Sequence, residues 1–172
     1  MDFTKTTTIS SLSFTDTRTY VWSAAFVVGN IVLPQLCHLV PGCGLVWLPI
    51  YLFTLVAAYK FGLAAGLLTA VLSPLVNNLM FGMPPTAMLP IILVKSVLLA
   101  VAASFIARKV GRVALWAVAA SVVAYQFVGT MVEWGMSSSL SAALQDIVIG
   151  WPGILVQVFG GCLIMRLIGN RM

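Results

Sequence analysis

Charge is the scarcest property of this chain. Nine Lys or Arg and four Asp or Glu stand among 172 residues, 61% of which are hydrophobic. A soluble domain carries about 25% charged residues, so a charged share of 8% excludes an ordinary water-facing globule. Chemistry-bearing motifs are missing as well. There is no G-x-x-x-x-G-K-[S/T] phosphate loop, no HExxH, no GxSxG and no close pair of carboxylates, which removes the ATPase, zinc-peptidase and serine-hydrolase readings. No catalytic role and no cofactor is expected. The acidic residues all fall outside the apolar runs, which argues against a relay of intramembrane carboxylates. Cysteine and histidine are equally sparse. Cys37, His38 and Cys43 cluster at the end of the first run, but three ligands without a fourth make no standard metal site. A Cys37–Cys43 disulfide and two free thiols both stay open, and Cys162 reads as core.

What the chain has is apolar length. Mean hydropathy is +1.08, and six runs stand out: Tyr20–Val40, Leu45–Tyr59, Phe61–Met80, Thr86–Ala107, Val113–Val132 and Ile147–Ile168. A bilayer needs about 20 residues per helical crossing, so the expected fold is an all-α integral membrane protein, a six-transmembrane-helix bundle. The second run is short and contains Pro49, so its outer end is expected to enter from a non-helical loop. Residues 1–19 read as a mobile or interfacial tail without the features of a signal peptide, and residues 20–172 as one membrane domain. Lys5, Arg18, Lys60, Arg108, Lys109, Arg112, Arg166 and Arg171 fall on one side of this count, Glu133 and Asp146 on the other. The positive-inside rule then places both termini in the cytoplasm. It leaves Pro41–Gly44, Phe81–Pro85 and Glu133–Asp146 outside, the last long enough for a surface helix or a lid. The basic residues form no single patch, so nucleic acid is not an expected partner.

The polar residues within the runs suggest a site. Lys95 sits about ten residues into the fourth run, roughly 15 Å deep at ~1.5 Å per residue. A cation there costs at least ~2.5–3.5 kcal/mol and needs a partner, water or a ligand. Helical spacing puts Gly66, Ala70, Ser73 and Asn77 on one face, as it does Ala119, Val122, Gln126, Gly129 and Glu133, and again Gly150, Gly153, Gln157 and Gly160. Such stripes serve helix packing. Asn77, Asn78, Gln126 and Glu133, however, all lie in outer halves, with Lys95 below them. The expectation is an outward pocket with Lys95 as its floor, pairing with an anionic group such as a carboxylate. Asn77, Asn78, Gln126 and Gln157 would supply neutral hydrogen bonds, and Trp47 and Trp151 are placed to stack on a ligand or to anchor the interface.

Six short spans and the segment SPLVNNLMFGMPPTAMLP (73–90) resemble the substrate-binding S component of an energy-coupling factor (ECF) vitamin transporter. The resemblance covers all six spans, with motif agreement concentrated in residues 62–96. It implies a bacterial cytoplasmic-membrane protein that captures a vitamin-like micronutrient in an outward pocket closed by extracellular loops. It implies docking on a transmembrane coupling (T) subunit with two ATP-binding-cassette ATPases that supply the energy. The family's Ala-x-x-x-Ala docking motif corresponds to Ala25 and Gly29 here, with Ala24 and Val28 one residue earlier. The alternatives are a self-sufficient secondary carrier working through Lys95, and a membrane scaffold whose small-residue stripes bind partner helices.

Overall fold

The computed structural model describes residues 9–169, all-helical apart from turns and connections. Five helices are long and apolar enough to cross a membrane: α1 (Thr17–His38), α4 (Leu63–Phe81), α5 (Leu89–Val110), α6 (Leu115–Ser137) and the composite Trp151–Ile168. The last consists of α9 (Trp151–Leu155), a π turn (Val156–Gly160) and α10 (Gly161–Ile168). The expected second span is replaced by short pieces: α2 (Cys43–Trp47), a 3₁₀ turn (Pro49–Tyr51) and α3 (Leu52–Phe61). At ~1.5 Å per residue α3 is only about 15 Å long. The cause is local. Pro49 cannot continue a helix in its preceding turn, and Leu48, with φ +45°, breaks the chain between α2 and the 3₁₀ turn.

Although short, α3 is the centre of the bundle. Every residue from Thr54 to Phe61 is buried, enclosed by α1, α4, α5 and α10. Close approach depends on small residues. A Cβ on Gly66 of α4 would lie 2.5 Å from the Ala58 Cβ, so glycine is required there. Aromatic packing of Trp22, Phe26 and Phe61 closes the α1 side. Because α3 starts at Leu52, the other end of the bundle has no central helix. That end is built from α2, the 3₁₀ turn, α7 (Leu140–Ala143) and α8 (Gln145–Val148).

The two ends carry opposite charge. Arg18, Lys60, Arg108, Lys109, Arg112 and Arg166 gather where α1 and α4 begin and α3, α5 and α10 finish, whereas Glu133 and Asp146 lie at the other end. Two expectations change here. Residues 9–16 are not a loose tail. Ser10 and Leu12 donate backbone hydrogen bonds to the carbonyls of Lys60 and Phe61 (2.8 and 2.9 Å), and Ile9 and Leu12 pack on the core. Asp16 caps α1 by accepting from the Arg18 N–H at 2.9 Å, as N-cap carboxylates do. Lys60, expected in a connection, is the penultimate residue of α3 and is buried. Residues 17–19 of the expected tail open α1, while residues 1–8, Lys5 among them, and Arg171 lie outside the described residues.

Candidate functional site

Two adjoining cavities occupy the acidic end, in the space that the short α3 leaves. The larger, about 400 Å³, lies between Pro34 and His38 of α1, Asn77 of α4 and the Met83–Pro85 turn. The smaller, about 260 Å³, is lined by Tyr51, Lys95, Glu133, Gln145 and Asp146. Both share Gly44, Leu45, Pro49, Ile50, Met88 and Ile92. They are two lobes of one cleft, a large apolar one and a small charged one.

The charged lobe is organised around Lys95. Its ammonium donates to Asp146 Oδ2 at 2.6 Å and forms a second ion pair with Glu133 Oε2. The lysine side chain is 3% exposed, and the carboxylates are 16% and 17% exposed. Charges removed from water to this degree are tolerated when attraction between them offsets desolvation. Sequence prepares the pairing. Gly129 stands one turn before Glu133 on α6, and a Cβ there would come within 3.0 Å of Lys95 Cγ. Its absence lets the lysine lie flat across α6 and reach the carboxylates. Asp146 is delivered by α8, which is seated by Gly150, where a Cβ would lie 2.5 Å from the Asp146 carbonyl and 2.7 Å from Leu48 Cδ1.

The structure corrects the expectation for Lys95 in two respects. Helix α5 begins at Leu89 instead of Thr86, so Lys95 lies about 9 Å along it at ~1.5 Å per residue, short of the roughly 15 Å expected. Its charge, expected to await an anionic ligand, is already answered by Glu133 and Asp146. The acidic residues are correspondingly not remote from the site: Glu133 belongs to α6 and both carboxylates face inward.

The other candidates separate. Lys95 and Asn77 line the cleft. Asn77 is also structural. Pro34 has no N–H to offer the Asn30 carbonyl one turn earlier, and Asn77 Nδ2 donates to that oxygen at 3.4 Å while its Oδ1 accepts from Gln35 at 2.9 Å. Asn78 donates to the Pro84 carbonyl at 2.7 Å and holds the Met83–Pro85 wall in place. Gln126 is buried beneath the site, with neither amide atom bonded to protein. Gln157 is buried in the π turn, where its Oε1 accepts from Tyr125 Oη at 2.9 Å and its Nε2 has no protein partner. Neither glutamine lines either lobe, and neither does Trp47 or Trp151, which are exposed. Trp47 instead offers its backbone to α9: a Cβ on Gly153 would lie 2.4 Å from its carbonyl.

The docking pair separates too. Ala25 is exposed, but Gly29 is part of the fold's own packing, since a Cβ there would lie 2.8 Å from the Phe53 ring. Ala24 and Val28 share the exposed face of α1 with Ala25. Cys37 and Cys43 are free, and among the described residues no group of three His, Cys, Asp or Glu is arranged to hold a metal.

Several contributors lay outside the expected binding set. Glu133 stood on the same face as Gln126 and Gly129, and that spacing already aimed it inward. Asp146 gave no such signal, because it arrives through two four-residue helices. Tyr51 joins the cleft to the bundle interior: its ring lies 5.5 Å from that of Tyr125, which bonds Gln157 in the π turn. Helical π turns recur at functional sites. Asn30 is the hub beneath the larger lobe, bonding Thr54, Ser73 and the Phe53 N–H at 3.0, 3.1 and 3.2 Å. Comparison with protein-family profiles, with curated proteins and with solved structures gives no match.

Proposed function

We propose that this chain is the substrate-capturing subunit of a membrane importer, holding a small vitamin-like solute in the two-lobed cleft. The observation that carries this reading is the cleft itself. It has a volume suited to a small organic molecule, mostly apolar walls and one cluster of converging charged groups, at the end of the bundle opposite the basic residues. By the positive-inside rule that end faces outward, the termini are cytoplasmic, and the membrane is the bacterial cytoplasmic membrane.

The chain carries no G-x-x-x-x-G-K-[S/T] phosphate loop, so the reading assigns energy to partners: a transmembrane coupling subunit and two ATPases, as in the S component of an ECF transporter. The GMPP-containing segment and the exposed Ala24–Ala25–Val28 stripe of α1 support that placement. The test is reconstitution. The purified chain should bind its solute tightly without ATP and leave liposomes unfilled until coupling subunits are added.

A second reading, a self-sufficient secondary carrier, is favoured by the inward-facing Lys95–Glu133–Asp146 triad, because ionisable groups within membrane helices mark proton and ion pathways. Uptake into liposomes by the lone chain, driven by a proton or sodium gradient, would establish it and remove the first.

A further inference from the structure

We infer that the ligand of this cleft carries a cationic nitrogen held between Glu133 and Asp146, with its apolar body extending into the larger lobe. This inference rests on the capture reading and names its substrate class. The charged lobe brings two carboxylates to one ammonium, and among the described residues Lys95 is the only Lys or Arg lining either lobe. The exposure is uneven: Lys95 is sealed at 3%, while the carboxylates keep 16% and 17%. With two carboxylates to one ammonium, the triad that lines this lobe is net anionic.

A surplus negative charge in a largely apolar cavity is costly unless a counter-ion answers it. The larger lobe adds no lysine or arginine among the described residues. Its polar side chains are His38 and Asn77, and Asn77 is engaged by Gln35 and the Asn30 carbonyl. An anionic ligand would have to face both carboxylates to reach an ammonium they already hold. A hard metal cation takes oxygen ligands, waters among them, and leaves the apolar walls of the larger lobe without a partner. An organic cation suits both surfaces. Its charged N–H groups meet the carboxylates in strong charge-assisted hydrogen bonds, and its body packs on Leu45, Pro49, Ile50, Met88 and Ile92.

Three fragments of one shape test this: benzamidine (cation), benzyl alcohol (neutral) and benzoate (anion), each titrated at millimolar concentration against the purified full chain by ligand-observed NMR. Benzamidine should bind at least tenfold more tightly than benzoate. Glu133→Gln or Asp146→Asn should each weaken benzamidine about tenfold and leave benzyl alcohol unchanged. Lys95 keeps one carboxylate in either variant, so both should fold; if one does not, the other decides.

Benzoate binding as tightly as benzamidine overturns the inference while capture stands. So does benzamidine binding that survives both substitutions, the result expected if a proton shared by the carboxylates already balances the triad. If none of the three binds, benzyl alcohol included, the cleft does not take small molecules, and the capture reading falls with the inference.

Discussion

Replacing Lys95 by Met removes the ammonium and keeps the apolar stem. The structure sets the size of the effect. The lysine is almost fully enclosed and holds two carboxylates, which would then face each other across the lobe without a cation. Breaking a buried pair by removing one partner costs ~3–5 kcal/mol. The carboxylates keep some contact with the cleft, and solvent there screens part of the repulsion, so the expected loss is about 2–4 kcal/mol. For a chain of this size each kcal/mol moves the melting midpoint by roughly 2–4 °C, giving a fall of about 4–16 °C.

Thermal unfolding of the detergent-solubilised protein, followed by size-exclusion fluorescence, measures it. The triple variant Lys95→Met, Glu133→Gln, Asp146→Asn removes all three charges and should recover at least half of the loss. A single variant that melts within about 1 °C of the parent would show that the triad is not formed in the resting protein. A triple variant no better than the single one would mean that the loss is packing, and the charge argument fails.

Three further outcomes are expected. Asn30→Ala removes three side-chain hydrogen bonds, including the one to the Phe53 N–H at the start of α3, and should cost about 1–3 kcal/mol in the same melting assay; an unchanged midpoint would mean that water replaces the amide. Gly29→Trp should lower thermal stability, because the ring must enter the space of Phe53, whereas Ala25→Trp should leave stability and ligand affinity intact and prevent co-purification with a coupling subunit. In intact cells, Ser138→Cys should react with a membrane-impermeant maleimide and Lys109→Cys should not; the opposite pattern inverts the topology.

The legible part of this fold was the part governed by hydrophobic length. Five runs became long helices within a few residues of their expected ends, and the small-residue faces became packing faces, with Gly66 against Ala58 and Gly153 against Trp47. The second run defeated the same reasoning. Its apolar content says it is buried, but burial inside a ring of helices and burial in lipid leave the same composition. The run's short length and Pro49 did signal that its outer end is not a continuous helix, and the chain breaks there at Leu48. The site was legible where helical spacing operates, at Lys95, Asn77 and the Gln126–Gly129–Glu133 face. It was illegible where Asp146 arrives through short helices and tight turns, which have no periodicity to read. The carbonyl freed by Pro34 and taken by Asn77 shows a further limit: a polar residue in a membrane helix can answer a neighbour's backbone as readily as a ligand.

The half-length of α3 also divides the protein in its dynamics. Around α3 the helices enclose a solid plug in which nearly every side chain is buried. Above it, helices of four or five residues cover a hollow, joined by hydrogen bonds of single turns. Segments with few buried apolar contacts open at a fraction of the global unfolding free energy. Amides of residues 43–48 and 139–150 can therefore exchange with solvent by local opening, while those of α3 wait for the whole bundle to come apart. Substitutions in the short helices can reshape the hollow with little effect on the plug that sustains the fold.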